Sequence, residues 1–203
     1  MTAVRHASSA RAAERRRSLI EAAYRIIAEQ GLKGLRTRAV AAQVGLTHAT
    51  LHYYFPTKEA LIQAVIDYAV FQRLLAGIPL FPEDRVGTPV EQLRALLLGL
   101  AQSMREDMTN VRVLYELILH TQHNPAMRDL FLREEVFGNW YHGLKGLLEQ
   151  GIQQGQWRAD LDPGSASSVL ITFILGLGII LLVPLPTPPE QLFDQLIQLL
   201  TGK

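Results

Sequence analysis

The segment LTHATLHYYF, residues 46–55, is rich in hydroxyl and aromatic polar side chains. Thr50, His52, Tyr53 and Tyr54 lie within it, and few of its other side chains are suited to burial. Hydroxyl, imidazole and phenol groups donate and accept hydrogen bonds. They can therefore contact phosphates and base edges. We therefore interpret this segment as a contact surface whose partner the rest of the sequence has to indicate.

A second group of residues has the spacing of metal ligands. His120 and His123 are three positions apart and share one face of a predicted helix, and Glu116 lies one turn before His120. The alternative is a pair of solvated or hydrogen-bonded histidines. Because a structural zinc site takes about four ligands and no further cluster accompanies these residues, we predict no metal and no cofactor.

The sequence contains no glycine-rich phosphate loop, no G-x-S-x-G elbow and no H-E-x-x-H motif. It also contains no cysteine, which excludes disulfides and thiolate metal sites and fits a cytoplasmic protein. The N-terminal residues have no apolar core, so we expect no secretory signal. We predict that the chain is not an enzyme, and a small helical carrier or enzyme with an apolar pocket stays open as the alternative.

Charge is distributed unevenly along the chain. Residues 1–60 contain ten Lys or Arg and four Asp or Glu, which gives +6, whereas residues 61–203 contain ten and fifteen, which gives −5. Together they return the formal net charge of +1. A basic N-terminal segment before an acidic remainder favours a polyanionic partner for the N-terminal segment. The alternative is a solvated basic face.

Apolar residues recur at helical spacing along nearly the whole chain. No segment shows a convincing alternation of apolar and polar residues, which is the pattern typical of a strand. Residues 88–91 and 187–190 each combine a threonine cap, an early proline and the glutamate of a capping box. Asn124-Pro125 and Asp162-Pro163 supply the cap and the proline alone, and residues 77–89 indicate a connection. The later helices are predicted near residues 90–107, 111–121, 125–154, 165–183 and 190–200. With the N-terminal helices, these predict an all-α fold of about nine helices.

Two short helices joined by a glycine turn surround the opening segment. Residues 37–44 offer a short helix capped by Thr37, and Gly45 permits a sharp turn because glycine tolerates positive φ. Thr47 caps the next helix, which runs through Tyr54. Such a pair forms a helix-turn-helix, whose second helix lies in the major groove of DNA with its N-terminal residues toward the bases.

This motif predicts which side chains contact DNA. His48, Ala49 and Thr50 lie near base edges, whereas Tyr53 one turn later and Lys58 on the following helix reach phosphates. The alternative is an ordinary helical corner with exposed aromatic side chains. The complete predicted DNA-binding set is Thr37, Arg38, Thr47, His48, Ala49, Thr50, His52, Tyr53 and Lys58.

Residues 15–61 also carry a specific pattern. The first helix ends in Glu-Gln-Gly, and the other matching positions are Thr37, Ala41, Gly45, Thr47, Leu51, Phe55, Lys58, Glu59 and Leu61. This segment resembles the DNA-binding domain of TetR-type transcriptional regulators, and the rest of the chain is similar in length and helical layout alone. The resemblance implies a homodimer, a palindromic operator and repression released by a ligand, and an activator stays open.

Three positions qualify the resemblance. Ala49 stands where many members have glycine, and its methyl could meet a thymine methyl. His52 stands where the family usually has a phosphate-binding tyrosine, and the shorter imidazole makes that contact best when protonated. Arg38 follows Thr37 as in members whose arginine reaches a base, and a solvated arginine is the alternative.

Residues 169–183, VLITFILGLGIILLV, are fifteen residues without a charge. Because a membrane span needs about 20 apolar residues, we predict a buried helix and no membrane partner, with a membrane-associated protein as the alternative. Gly176 and Gly178 permit close helix approach. We predict a homodimer through helices 165–183 and 190–200, and a monomer is the alternative. The last helix offers to this interface the apolar residues Leu192, Phe193, Leu196, Ile197 and Leu200.

A ligand pocket has mostly apolar walls with a few placed polar groups, so the expected effector is a small apolar molecule. For any one candidate the alternative is a plain core role. The predicted pocket residues are Leu100, Met104, Leu114, Tyr115, Ile118, Phe137, Trp140, Tyr141, Phe173 and Leu177.

The sequence thus predicts two domains. Residues 1–60 form a three-helix DNA-binding domain, and residues 61–203 form a ligand-binding and dimerisation domain. The predicted function is a dimeric, ligand-responsive transcriptional regulator, a repressor that binds double-stranded operator DNA through the helix 47–54 and is released by the effector.

Overall fold

The computed structural model describes residues 2–76, 87–120, 125, 128–129, 138–183 and 186–202, with side chains from residue 9 onward. Regular structure in these ranges is helical, which confirms the all-α prediction. A π-helical turn, Tyr68–Leu74, continues α4. The α-helices of the described residues are α1 Thr2–Gly34, α2 Thr37–Gln43, α3 His48–Tyr54, α4 Lys58–Asp67, α5 Pro89–Glu106, α6 Met108–His120, α7 Asn139–Gln153, α8 Pro163–Leu182 and α9 Pro189–Thr201.

Most predicted helices lie close to the observed ones. The predictions over 90–107, 165–183 and 190–200 correspond to α5, α8 and α9, and α6 begins three residues before the predicted residue 111. The helix predicted over 125–154 corresponds at its C-terminal part to α7. Most of its predicted first half, the cap Asn124 and the connection at 77–86 lie outside the described residues.

The first compact unit comprises Met1–Gln72 and Arg112–Phe131, so it contains α1–α4 and most of α6. The inner face of α1 is apolar and fully buried at Leu19 and Ala23, and Leu61 and Ile66 of α4 are buried with it. At Gly31 the backbone of α1 leaves helical dihedrals, with φ 69° and ψ 175°. Positive φ is a conformation that glycine adopts without a Cβ clash, which explains the residue type at this break.

The second unit comprises Arg73–Val111 and Leu132–Lys203, and in it α5, α7, α8 and α9 pack against one another. The predicted capping box of α5 is present: the Glu91 N–H donates to the Thr88 side chain, and the Thr88 N–H donates to the Glu91 carboxylate at 2.7 Å. Asp162 caps α8 by accepting from the Ser165 N–H at 2.8 Å. Both starts follow from local sequence because the capping groups lie within one turn.

The second predicted capping box is wrong. Pro188 occupies the cap position of α9 and provides no side-chain hydrogen bond. Glu190 instead accepts a hydrogen bond from the Arg105 guanidinium at 2.8 Å. A charge-assisted contact to a neighbouring helix has therefore replaced the local contact that the sequence pattern suggested.

The buried face of α9 corrects the predicted interface residues. Phe193, Leu196, Ile197 and Leu200 are buried within the protomer, and Phe193 meets Phe173 edge to face at a centroid distance of 6.0 Å. These side chains belong to the core of the second unit and are not available to a partner. The exposed apolar side chain of this helix is Leu199, at 70%.

Helix α8 combines high hydropathy with low burial. Its most apolar window has a mean hydropathy of 2.3, and 33% of that window is buried in the protomer. It is the one helix of the described residues that is long and apolar enough to cross a membrane, a property that core helices of soluble proteins share. The exposed apolar side chains on it are Val169, Leu175 and Ile179, and Val183 follows at its C-terminal end.

Candidate nucleic-acid interface

The turn between α2 and α3 is built around Gly45. This residue has φ +67°, and its N–H donates to the Ala42 carbonyl at 3.1 Å. The Leu46 N–H donates to the Ala41 carbonyl at 2.9 Å. These two bonds form the Schellman motif that ends a helix on a left-handed residue. The motif reverses the chain within a few residues, as the helix-turn-helix prediction requires.

Thr47 caps α3 as predicted. Its side-chain oxygen accepts a hydrogen bond from the Thr50 N–H at 3.1 Å and lies 2.9 Å from the Thr50 hydroxyl. Leu51 is fully buried and fixes the helix against the core of the unit. Ala49 and Tyr53 point to the opposite side, and Tyr53 is 82% exposed. The helix therefore has one anchoring face and one free face.

The predicted capping role of Thr37 is wrong. The cap position of α2 is Arg36, without a side-chain hydrogen bond, and Thr37 is the first helical residue. The Thr37 hydroxyl lies 3.0 Å from His48 Nε2 on α3. Threonine side chains bind many acceptors and donors near a helix start, so the sequence pattern alone did not distinguish a local cap from a contact across the turn.

A basic cleft of about 410 Å³ opens beside α3, and among the residues that line it Arg36, Arg38 and Lys58 are cationic and none is acidic. Arg38, His52 and Lys58 are exposed, whereas Thr37 and His48 are half-buried. Lys58 is the first residue of α4, which Thr57 caps by accepting from the Ala60 N–H at 3.0 Å. The complete lining is Leu35, Arg36, Thr37, Arg38, His48, His52 and Lys58.

Electrostatics in the cleft favour an anion. Partial desolvation, followed by the neighbouring His52 and Arg38, lowers the pKa of His48 below its usual value. Each of these causes penalises a positive charge on the imidazole, and a bound anion would offset the charge effects. A phosphate group of a nucleic acid carries the charge and the oxygen acceptors that such a cleft can bind.

Two arginines outside the predicted set lie beside its elements. Arg36 lines the cleft, and its position directly before Thr37 in a basic RTR sequence could have indicated it. The guanidinium of Arg16 lies over the ring of Phe55 at 5.1 Å from its centroid, a cation–π contact that ties α1 to the end of α3. No local pattern in the sequence indicates this pairing, because the two residues are distant along the chain.

The predicted pocket residues fall in both units. Leu114, Tyr115 and Ile118 belong to the first unit, where Leu114 is buried. In the second unit Leu100, Met104, Trp140 and Leu177 are buried and Tyr141 and Phe173 are half-buried, while Phe137 lies outside the described residues.

The predicted histidine pair on α6 is described at one position. His120 Nε2 lies 3.3 Å from Glu116 Oε1, and His123 lies outside the described residues. Among the residues that the structure describes, no three His, Cys, Asp or Glu side chains come together as metal ligands. The contact of His120 with Glu116 is accordingly an ion pair or hydrogen bond within one helix face.

A capped short helix with a free face, a glycine turn before it and a basic cleft beside it define a helix-turn-helix DNA-binding protein. Residues 19–65 match the bacterial regulatory proteins of the tetR family, and residues 89–200 match the C-terminal domain of BetI-type transcriptional repressors. The chain belongs to the TetR family of transcriptional regulators, which are ligand-responsive DNA-binding proteins. This confirms the family and the regulatory function that the sequence predicted.

Individual relatives are distant. The HTH-type transcriptional regulator BetI of Stenotrophomonas maltophilia is 26% identical over 136 residues, which are 66% of this chain and 69% of that protein. The HTH-type transcriptional regulator PksA of Bacillus subtilis is 26% identical over 121 residues, which are 57% of this chain and 56% of that protein. The chain thus spans little more than half the length of this second relative.

Solved structures agree on the fold. A putative transcriptional regulator from Saccharomonospora viridis in complex with choline has a TM-score of 0.70 at 26% identity, over 92% of this chain and 96% of that one. A putative TetR-family transcriptional regulator from Rhodococcus sp. has a TM-score of 0.72 at 23% identity, over 91% and 95%. At this level of identity the second similarity shows the fold alone.

Proposed function

We propose that the chain is a homodimeric cytoplasmic repressor that reads a palindromic operator with α3 and leaves it when a small effector binds the domain formed by residues 61–203. The observation that carries the proposal is the free face of α3. Thr47 fixes the helix start, Leu51 anchors the helix, and Ala49 and Tyr53 face outward. A helix held in this way inserts as a rigid element into the major groove, which is wide enough for an α-helix.

Base and phosphate contacts divide along the helix. Ala49 and Thr50 lie in the first turn, where recognition helices meet base edges, and the Ala49 methyl suits contact with thymine. Tyr53 is one turn later, and its hydroxyl can bind a phosphate of the DNA backbone. Lys58 and Arg38 line the cleft and can pair with phosphate charges. Phosphate contacts set position and affinity, and the first-turn residues set sequence preference.

Selection of bound duplexes from a random DNA pool tests this function. We expect enrichment of a two-fold symmetric sequence with half-sites about 10 base pairs apart or a multiple of that spacing, because a two-fold dimer presents two copies of α3. Recovery of duplexes without any shared sequence would contradict sequence-specific regulation. A shared sequence without two-fold symmetry would contradict the dimeric form of the proposal.

The second copy is proposed to pack on α8 and on Leu199 of α9. The outward positions Val169, Thr172, Gly176 and Ile179 follow one another at spacings of three and four residues, the repeat of a helix-packing stripe. A Cβ added at Gly176 would meet nothing within 4 Å in the protomer, so the surface there is open to a close-packed partner. An exposed apolar stripe of this kind on a family of DNA-binding proteins favours a protein interface.

The proposed effector is a small apolar molecule bound among the buried apolar side chains of the second unit. Leu100, Trp140 and Leu177 are buried there, and Phe173 is half-buried. A second candidate is a quaternary ammonium compound, because the BetI-type match covers this region and the Saccharomonospora viridis regulator is in complex with choline. Aromatic faces such as those of Trp140 and Tyr141 attract such cations.

Tryptophan fluorescence can distinguish these effectors. The chain has two tryptophans, Trp140 and Trp157, and Trp157 is buried with its Nε1–H 3.5 Å from the Leu147 carbonyl. A Trp157→Phe variant leaves Trp140 as the sole reporter. We expect saturable quenching or a spectral shift with the true effector class and none with the other.

The same titration on operator-bound protein tests release. An effector can release DNA only if it binds the free conformation better than the bound one, and reciprocity requires the operator to weaken effector binding by the same factor. Equal effector affinity with and without operator would contradict release of DNA by the effector. It would not contradict the proposed DNA-binding function.

A further inference from the structure

Two histidines of α3 contact each other at the floor of the basic cleft. His48 and His52 are four residues apart, so they share one helix face, and their Nε2 atoms are 3.1 Å apart. The rings meet edge to face at a centroid distance of 4.3 Å. His52 Nδ1 lies 3.2 Å from the Pro56 carbonyl oxygen, and His48 Nε2 lies 3.0 Å from the Thr37 hydroxyl.

The partners restrict where protons sit. A carbonyl oxygen only accepts, so the hydrogen bond to Pro56 places a proton on His52 Nδ1. A hydrogen bond between the two Nε2 atoms then needs one proton between them. When both rings are neutral, His48 Nε2 donates it and His52 Nε2 accepts it, with the Thr37 hydroxyl oxygen as a second acceptor 3.0 Å from the same His48 nitrogen. When one ring is an imidazolium, the same bond persists with either ring as the donor.

A second added proton breaks this arrangement. Two imidazolium rings would point N–H groups at each other across 3.1 Å, and neither nitrogen could accept. The pair in this geometry therefore holds at most one proton beyond the neutral state.

The charges that face the pair come from the two neighbouring helices. Arg36 and Arg38 face it from the start of α2, and Lys58 faces it from the start of α4. All three are cationic at neutral pH, and the residues that line the cleft include no carboxylate. In the free protein burial, His52 and Arg38 oppose a positive charge on His48, and an anion in the cleft would offset the charge effects.

We propose that operator binding by this protein takes up one proton at the His48–His52 pair, which then donates a charge-assisted hydrogen bond to a DNA backbone phosphate seated in the basic cleft. The inference rests on the proposed DNA-binding function and adds to it a pH dependence that a tyrosine at position 52 would not give. With one added proton, His52 Nδ1–H still binds the Pro56 carbonyl and one N–H still lies between the two Nε2 atoms, so the N–H available for the phosphate is that of His48 Nδ1.

The direction of the effect follows from linkage. The phosphate raises the pKa of His48 in the complex above its value in the free protein, where burial, His52 and Arg38 lower it. Operator affinity therefore increases as pH falls between these two pKa values and is level outside them. One proton in each of the two protomers lets the dissociation constant of the dimer–operator complex change by at most about a hundredfold per pH unit, about tenfold for each proton.

The experiment measures the operator dissociation constant of the full-length chain by fluorescence anisotropy from pH 5.5 to 8.5 at constant ionic strength. Three variants accompany the parent: His48→Gln, His52→Gln, and His142→Gln as a control, since His142 is exposed on α7 in the second unit. Calorimetry in buffers of different ionisation enthalpy counts the protons taken up on binding. Circular dichroism of each variant verifies its helical fold.

We expect a parent dissociation constant that falls several-fold per pH unit as pH decreases, with close to one proton taken up per protomer at the steepest point. Both cleft variants lose this dependence, and His142→Gln retains it. Specific binding with the same pH dependence in His52→Gln and the parent would overturn the inference alone, as would specific binding that is level with pH. Absence of specific binding at every pH would overturn the proposed function itself.

Discussion

The carboxylate of Glu116 on α6 accepts a hydrogen bond from the backbone N–H of Leu32, at 3.1 Å. Leu32 follows Gly31, where α1 leaves helical dihedrals, so the carboxylate binds an N–H beside the break in α1. A Cβ at Gly31 would lie 3.0 Å from the same carboxylate oxygen. One side chain of α6 thereby fixes the junction between α1 and α2, which carries the start of the DNA-binding motif.

Replacing this carboxylate is expected to destabilise the first unit. Glu116→Ala leaves the Leu32 N–H without its acceptor, which costs about 1 kcal/mol or somewhat more in the free energy of unfolding. Urea denaturation measures the change. Glu149→Ala is the matched control, because Glu149 contacts Lys145 at 3.6 Å on the surface of one helix, an interaction worth about 0.5 kcal/mol or less. Equal losses in the two variants would contradict the proposed role of Glu116.

Removing a phosphate contact should change the salt dependence of DNA binding. Lys58→Ala lowers operator affinity and reduces the slope of log affinity against log salt by about two, about one for each protomer of the dimer, because fewer counterions are released. Tyr53→Phe lowers affinity similarly across DNA sequences through a lost phosphate hydrogen bond. Lys145→Ala in the second unit is the control and leaves the slope unchanged. An unchanged slope for Lys58→Ala would place this lysine outside the interface.

Removing the threonine cap of α3 or of α5 distinguishes a loss of stability from a loss of DNA binding. Thr47→Ala and Thr88→Ala each remove a cap hydrogen bond and are expected to cost about 1 kcal/mol of stability. The first of them frays the start of α3, so operator binding should fall about fivefold for each half-site in that variant and remain within twofold of the parent in the other. Thermal unfolding and anisotropy titrations provide both measurements. Comparable DNA binding by the two variants would show that α3 does not set the interface.

Charge on the outer face of α8 should dissociate the dimer. Ile179→Asp places a carboxylate on a side chain that is 47% exposed in the protomer, so the fold tolerates it while a buried interface does not. Light scattering is expected to give the mass of a monomer, with operator affinity reduced because two half-sites are no longer read together. Leu119→Asp, at an exposed apolar position of α6, is the control and should stay dimeric. A dimeric Ile179→Asp variant would move the interface away from α8.

Features with local causes were predictable from sequence. Gly45 has the positive φ that its turn needs, and Thr47 and Thr88 bind groups within one turn of themselves. The sequence failed where a distant partner decides. Thr37 contacts His48 across the turn instead of capping α2, and Glu190 binds Arg105 instead of its own helix start.

The interface on α9 shows a different limit. An amphipathic pattern indicates that one face of a helix is covered, but not whether its own protomer or a partner covers it. Leu196 is 9% exposed because the protomer's core covers it, whereas Leu199, at the edge of that buried face, is 70% exposed. The contact between the His48 and His52 imidazoles shows the same limit. Their spacing of four residues allows the contact, but the cationic side chains beside it come from the starts of α2 and α4.

The central claim is that α3 reads bases, once in each half-site. Selection from a random DNA pool with the parent and with Ala49→Gln tests it most directly, because Ala49 is exposed in the first turn and glutamine prefers the N6 and N7 edge of adenine. We expect the preferred base to change at one pair of symmetry-related positions, toward adenine on the contacted strand, while the rest of the palindrome is kept. An identical enriched sequence from the two proteins would contradict base recognition by α3.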